Sequence, residues 1–271
     1  MRKVQTMALL GIAGLALLAA PARGRAKETG FLNRTATVNG TTYRYQVYLP
    51  PDWDKNKKWP VVLFLHGAGE RGEDGLVQME VGIGTAIRRY PERFPCVVVM
   101  PQCRKNVVWS DAAMEAQTLK ALEQSVKEFN GDPPRTYLTG LSLGGYGTWS
   151  LASKHPGKFA ALVPICGGVR SRRTPGVDIA AAGPGSDPYA VVAGKVGKTP
   201  VWVFHGATDA TVPVEESRQM VEALKAAGGH VRYNEYEGVG HNSWTKAYAE
   251  PELMTWMLAQ KRGAAQPNVT R

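Results

Sequence analysis

Arg135-Thr136-Tyr137-Leu138-Thr139-Gly140-Leu141-Ser142-Leu143-Gly144 is the segment in which the architecture is most directly readable. Arg135–Thr139 is a short β-branched and apolar run, the mark of a strand buried on both faces. From Gly144 to His155 the apolar spacing is helical. Between the two lies G-x-S-x-G. A strand-to-helix turn this sharp needs glycine on both sides of the serine, because a β-carbon there would press on neighbouring backbone. The pattern is common by itself, and its place between a strand and a helix gives it weight. Such a turn lifts the Ser142 hydroxyl above the sheet and aims the helix N-terminus at it.

Outward from this segment the same alternation repeats. Val61–Leu65, Cys96–Met100, Ala160–Ile165 and Val201–Phe204 are apolar runs bounded by turn residues, while Val231–Tyr236 alternates and reads as an edge strand. Ala36–Val38 and Thr42–Leu49 read as a hairpin turned at Asn39-Gly40. Helical stretches lie between the strands: Asp111–Asn130, with Ser110 placed to cap it, Val214–Ala227, the terminal Pro251–Arg262 and a short Asp187–Gly194. The expectation is an α/β fold with a mostly parallel central sheet, helices on both faces, an N-terminal antiparallel hairpin and no large inserted cap. Residues 27–262 form one domain, and 263–271 read as a flexible tail. Apart from the short Asp187–Gly194 helix, Val169–Lys198 is the longest stretch without a clear element, which in a compact domain points to function or mobility.

Apolar residues are 44% of the 271 and charged residues 21%, ordinary globular usage that excludes a disordered or multi-span membrane chain. Lys and Arg number 33 against 23 Asp and Glu, a formal charge of +10. The basic residues are scattered, with short groups at Arg170–Arg173 and Lys55–Lys58 and no interleaved aromatics, so a basic solvated surface is expected rather than a nucleic-acid site. Arg2 and Lys3 precede an apolar and glycine run from Ala8 to Ala20, followed by the small-x-small site Ala20-Pro21-Ala22. As a helix that run would reach about 20 Å, short of a hydrocarbon core of about 30 Å. Residues 1–22 therefore read as a removable secretory signal, with no integral membrane segment after processing and a secreted or periplasmic destination.

A serine hydroxyl is barely ionised at neutral pH and needs a base. Of five histidines, His66 and His205 end strands as His-Gly and read as structural. His155 sits at a helix end, and His230 starts the edge strand. His241 lies in Gly238-Val239-Gly240-His241-Asn242, a glycine-rich loop after the last strand, and is the expected base. The carboxylate that would orient its imidazole is Asp209, just beyond Val201–Phe204. Capping the helix before Val214 is the competing role for Asp209, and Glu237 and Asp178 are the fallback acids. The order Ser142, Asp209, His241 matches nucleophile, acid and histidine on a sheet of this type.

Negative charge on a carbonyl oxygen needs prearranged donors. The expected pair is the Leu143 N–H, one past the serine, and the Ala68 N–H in His66-Gly67-Ala68-Gly69-Glu70-Arg71-Gly72. Glu70 is a candidate for substrate contact or for pairing with Arg71 to brace that loop. Trp109 and Trp244 are candidate pocket walls, with core packing as the alternative for each. Cys103 and Cys166 both follow apolar runs, so a bridge between them stands beside buried free thiols. Without C-x-x-C or H-E-x-x-H no metal is expected, and no cofactor. Gly197-Lys198-Thr199 lacks the glycine a phosphate loop needs and runs into Pro200. Ser243-Trp244-Thr245-Lys246 matches S-x-x-K without the partner motifs of that enzyme class.

The stretches H-G-A-G-E-R-G, P-Q-C-x5-W from Pro101 to Trp109, G-L-S-L-G-G-Y-G-T-W, P-I-C-G-G, H-G-A-T-D-x3-P and G-V-G-H-N-S-W together resemble the α/β-hydrolase superfamily. Within it they resemble the secreted esterases related to feruloyl esterases, polyhydroxybutyrate depolymerases and prolyl-oligopeptidase-like peptidases. The resemblance spans Val61 to Trp244 and implies the fold, the serine–acid–histidine set and hydrolysis of small-molecule or polymer-attached carboxylic esters. Feruloyl or acetyl esters of plant polysaccharide lead as substrates. A serine peptidase and a silent binding module that kept the fold are the alternatives.

Overall fold

The computed structural model describes residues 28–171 and 186–263. The signal reading of residues 1–22, Asp178 and nearly all of the tail lie outside these. Eight strands form one sheet: β1 (Gly30–Val38), β2 (Thr41–Leu49), β3 (Trp59–Leu65), β4 (Val97–Pro101), β5 (Gly131–Leu141), β6 (Leu162–Ile165), β7 (Val201–Gly206) and β8 (Val231–Tyr236). Their order is β1-β2-β4-β3-β5-β6-β7-β8. From β4 to β8 every pairing is parallel, and the β1–β2 hairpin joins antiparallel through β2 against β4, with Val47 opposite Val99.

Side chains alternate across the sheet, and the two faces make two cores. Val61, Leu63, Leu65, Val99 and Leu138 face one side. There they meet α2 (Ala112–Glu128), α3 (Leu143–Lys154), α4 (Pro188–Val196) and α5 (Glu215–Ala226). Val62, Phe64, Val98, Met100 and Tyr137 face the other side, covered by α1 (Ile83–Arg89), α6 (Trp244–Ala249) and α7 (Pro251–Ala259). Burial on both faces is why these strands are continuous apolar runs rather than alternating ones.

Helix α2 begins one residue later than the Ser110 cap implies: Asp111 takes the cap position, and its Oδ2 accepts from the Val108 N–H at 3.0 Å. Helices α1 and α6 had no counterpart in the sequence reading. All three cysteines are free and buried, so Cys103 and Cys166 pack as thiols. No described helix is long and apolar enough to cross a membrane.

Candidate active site

The end of β5 turns into α3 through Ser142, whose φ of 52° and ψ of −116° lie outside the regions ordinary residues favour. The turn holds because both flanking glycines are in contact with backbone. A β-carbon at Gly144 would sit on the Leu65 carbonyl oxygen, and one at Gly140 on the Gly144 carbonyl. The Ser142 N–H is tied to the Ile165 carbonyl at 2.9 Å, which fixes the turn against β6.

Ser142, Asp209 and His241 come from three separate places on the carboxyl edge of the sheet, and one hydrogen-bonded chain joins them. The Ser142 hydroxyl lies 2.9 Å from His241 Nε2, and His241 Nδ1 lies 2.6 Å from Asp209 Oδ2. A carboxylate can only accept there, so the proton sits on Nδ1 and leaves Nε2 free to take the hydroxyl proton.

Asp209 is not forced to choose between capping and facing the histidine. Its Oδ1 accepts from the Thr211 and Val212 N–H groups at 2.8 and 2.9 Å, while Oδ2 serves His241. Burial alone would push this carboxyl up. Donation from His205, His241 and the Val212 and Thr211 amides overcomes that and holds it well below the usual carboxylate range. His205, a structural residue on sequence grounds, is therefore also a donor beside the site, with Nε2 3.2 Å from Asp209 Oδ2. The His205-x-x-x-Asp209 spacing at a strand end was the available signal.

Leu143 opens α3, so its N–H is a first-turn donor with no acceptor inside the helix. Ala68 opens the single 3₁₀ turn Ala68–Glu70 directly after Gly67. A β-carbon on Gly67 would stand 3.7 Å from Ser142 Cβ, which sets this loop against the serine.

Arg71 and Glu70 do not pair. Arg71 donates to the Ala68 and Val107 carbonyls at 3.1 and 3.2 Å and braces the loop without Glu70. Adjacent side chains on this tight turn point apart, and Glu70 instead turns inward, its Oε2 4.0 Å from His66 Nδ1. Burial pushes the Glu70 carboxyl up, and nearby Gly67 and Glu70 amides offset only part of this.

Trp109 does not wall an open cleft. It is 4% exposed, donates from Nε1 to the His66 carbonyl at 3.0 Å and sets its ring against the His66 ring. Its position beyond a strand end suited either role, and the close approach of Gly147 to its ring leaves it in the core. Trp244 is half-buried and meets the His241 ring edge-on at 5.4 Å between centroids.

Cys166 Sγ, Asp209 and His241 offer ligand atoms within 4.8 Å of one another. Burial pushes the Cys166 thiol up to about 12, against contacts with the Ser243 hydroxyl and the Ser142 backbone, so it sits there as a neutral thiol. Asp209 and His241 are meanwhile occupied with each other.

Residues 36–254 match a family model described as "Putative esterase". The chain belongs to that family of α/β-hydrolase esterases. Among solved structures it is similar to a thermostable esterase, with 35% identity and a TM-score of 0.72 over 86% of this chain and 63% of that one. Among curated proteins it is 26% identical over 234 residues to an uncharacterized secreted protein of Arthroderma benhamiae, covering 79% of this chain and 25% of the relative. It is 32% identical over 120 residues to poly(3-hydroxyalkanoate) depolymerase C of Paucimonas lemoignei, covering 40% and 29%. The esterase-family chain thus spans between a quarter and a third of the length of these curated relatives.

Proposed function

We propose that this protein is an exported serine esterase that cleaves carboxylic esters through an acyl-enzyme, with Ser142 as nucleophile, His241 as base and Asp209 as its orienting acid. The observation that carries this is the hydrogen-bonded chain from Ser142 through His241 to Asp209. His241 Nε2 takes the hydroxyl proton as Ser142 Oγ bonds to the ester carbon. The carbonyl oxygen gains negative charge and is met by the Leu143 and Ala68 N–H groups. On collapse the alkoxy group leaves with the proton from Nε2. Water then attacks the acyl-serine with the same base, releasing the acid and restoring Ser142.

The substrate class in this reading is aryl or acetyl esters carried on plant polysaccharide. Trp244, beside His241, offers a flat apolar surface for an aromatic acyl group or a sugar face. Similarity to a protein named for depolymerising a polyester, and to one named as secreted, supports a polymer-attached substrate outside the cell.

Turnover of p-nitrophenyl, feruloyl and acetyl esters against a peptidyl anilide by the purified chain tests it. Ester turnover at least about a hundredfold above anilide turnover is expected. Preference for the anilide would make it a peptidase, and no turnover with no fluorophosphonate labelling would leave a binding module.

A further inference from the structure

The Ser142–His241–Asp209 chain occupies only half of the sheet's carboxyl edge, beyond β5, β7 and β8. The other half, beyond β3 and β4 and at the start of antiparallel β2, is hollowed into a trough. One cavity of about 630 Å³ is lined by Arg104, Lys105, Asn106 and the first turn of α2. A second of about 340 Å³, lined by Thr42, Arg44 and Gln102, shares Tyr43, Gly72, Glu73 and Arg104 with the first. A third of about 460 Å³ continues past Arg44 towards Asn33 and Leu76.

The trough and the serine are separated by one loop. Gln102 donates to the Glu70 carbonyl at 3.1 Å and forms part of the trough wall. Three residues earlier in the chain, Gly67 is against Ser142. A polymer lying along the rim would cross from Ser142 over the Ala68 loop into the trough.

The charges in the trough are unequal. The Asp74 carboxylate is taken up by the Leu76 and Val77 amides and by Gln102. Glu73 lies 3.6 Å from Arg104. Arg44 and Lys105 are both exposed, and among the described residues neither has a carboxylate within ion-pair distance. The Arg104 guanidinium is held over the Tyr43 ring at 4.6 Å, so its planar fork is presented rather than left free to swing. The first turn of α2 lines the same side, where Asp111 at its cap and Glu115 within it offset the positive helix end. Thr42, Asn106 and Gln102 supply polar groups between the cations.

We infer that this trough is a subsite for an acidic polysaccharide, a chain whose sugars carry carboxylates, running from the ester at Ser142 across the β2–β4 side of the rim. The inference rests on the esterase reading for the polymer's purpose, but the binding it describes can be measured without turnover. Separated cations along an extended depression match carboxylates repeated along a chain, with hydroxyls between them for the polar groups. The formal net charge, +10 for the whole sequence and 10 − 2 = +8 without Arg2 and Lys3 of the proposed signal, would draw such a polymer in.

Calorimetry of Ser142→Ala protein with hexagalacturonate, neutral xylohexaose and a glutamate hexapeptide tests the subsite. Hexagalacturonate is expected to bind, about tenfold more weakly in the added Arg104→Gln/Lys105→Gln background and at about 300 mM rather than about 20 mM salt. Xylohexaose and the peptide are expected to bind at least about tenfold more weakly. In the active protein the same pair of changes should lower the ratio of kcat/KM on acetylated oligogalacturonate to that on p-nitrophenyl acetate by about tenfold. Equal affinity for the neutral sugar, peptide binding as tight as the uronate, or indifference to the double change would each overturn the subsite. Turnover of p-nitrophenyl acetate by the wild type tests the esterase reading separately. Its absence would sink that reading while calorimetry still decided the trough.

Discussion

His205 Nε2 lies 3.2 Å from Asp209 Oδ2, so the carboxylate that receives His241 receives a second imidazole on the same oxygen. The protonation of His205 follows from its neighbours. Its Nε2 is also 3.1 Å from the Val212 carbonyl, which only accepts, and its Nδ1 is 2.7 Å from the Ser217 hydroxyl. Nε2 therefore carries the proton and donates towards both oxygens. Asp209, with two amides on Oδ1 and two imidazoles on Oδ2, is kept ionised inside a buried pocket.

In the proposed mechanism His205 would act through Asp209, as a positioning residue. His205→Phe removes one charge-assisted donor, worth about 1.5–3 kcal/mol, and should lower kcat about ten- to a hundredfold with little change in KM. With less donation to Asp209, the acid limb of the pH–rate profile should also move up. His205→Gln, which keeps an amide donor, should recover part of both effects. Loss of thermal stability with kcat and the acid limb unmoved would make His205 a packing residue only.

Asp209→Asn should cost more than a lost charge. The Thr211 and Val212 amides require an acceptor at the Oδ1 position, so the carboxamide oxygen must go there. That turns the amide nitrogen towards His241 and towards the His205 N–H. His241 would then have to carry its proton on Nε2, where it could not accept from Ser142. Ester kcat should drop by about three to four orders of magnitude. Two facing N–H donors should also destabilise the fold by about 1–3 kcal/mol. Near-normal turnover in steady-state assays would remove Asp209 from the proposed mechanism.

Most of the sheet was legible because strands buried on both faces are written as unbroken apolar runs, and the Ser142 turn because its flanking glycines answer to backbone contacts. What failed depended on direction or on tertiary proximity. Asp209 looked divided between two roles because spacing says nothing of which oxygen does what. Trp109 sits where either a wall or a core residue fits, and only the approach of Gly147 and the His66 carbonyl decides. Glu70 and Arg71 are opposite charges side by side in sequence, yet their side chains diverge on a tight turn. Helix α1, only seven residues long, is too short to show a periodicity. The rim trough is assembled from three distant segments and has no sequence signature.

Ser142 holds a backbone conformation that costs about 1–3 kcal/mol for a residue with a side chain. Ser142→Ala keeps the β-carbon and the strain, whereas Ser142→Gly removes both. Either change should reduce ester turnover by about five to six orders of magnitude. The glycine protein should nevertheless melt a few degrees above the alanine protein, a difference of about 1 kcal/mol after glycine's extra unfolded-state freedom is counted. The reverse order of melting temperatures would mean that the turn is not strained, and retained turnover in either would displace Ser142 as nucleophile.

His66 should make the fold sensitive to mild acid in a way that Asp209 does not. It is fully buried, donates from Nδ1 to the Gly67 carbonyl at 2.6 Å and accepts the Cys103 N–H on Nε2 at 2.9 Å. Burial holds its imidazole down at about 4, so it stays neutral in the fold. The unfolded chain, by contrast, takes up a proton below about pH 6.5. Stability from this site is therefore fully present above about 6.5 and is lost as pH falls through about 4, a change of about 3 kcal/mol. His66→Gln can keep an amide donor and a carbonyl acceptor in the same place but does not titrate. It should be less stable than the wild type at pH 7, with that gap closing by about 3 kcal/mol in denaturant titrations between pH 7 and 4. Parallel pH dependences for the two proteins would show that His66 takes up its proton as readily in the fold as outside it.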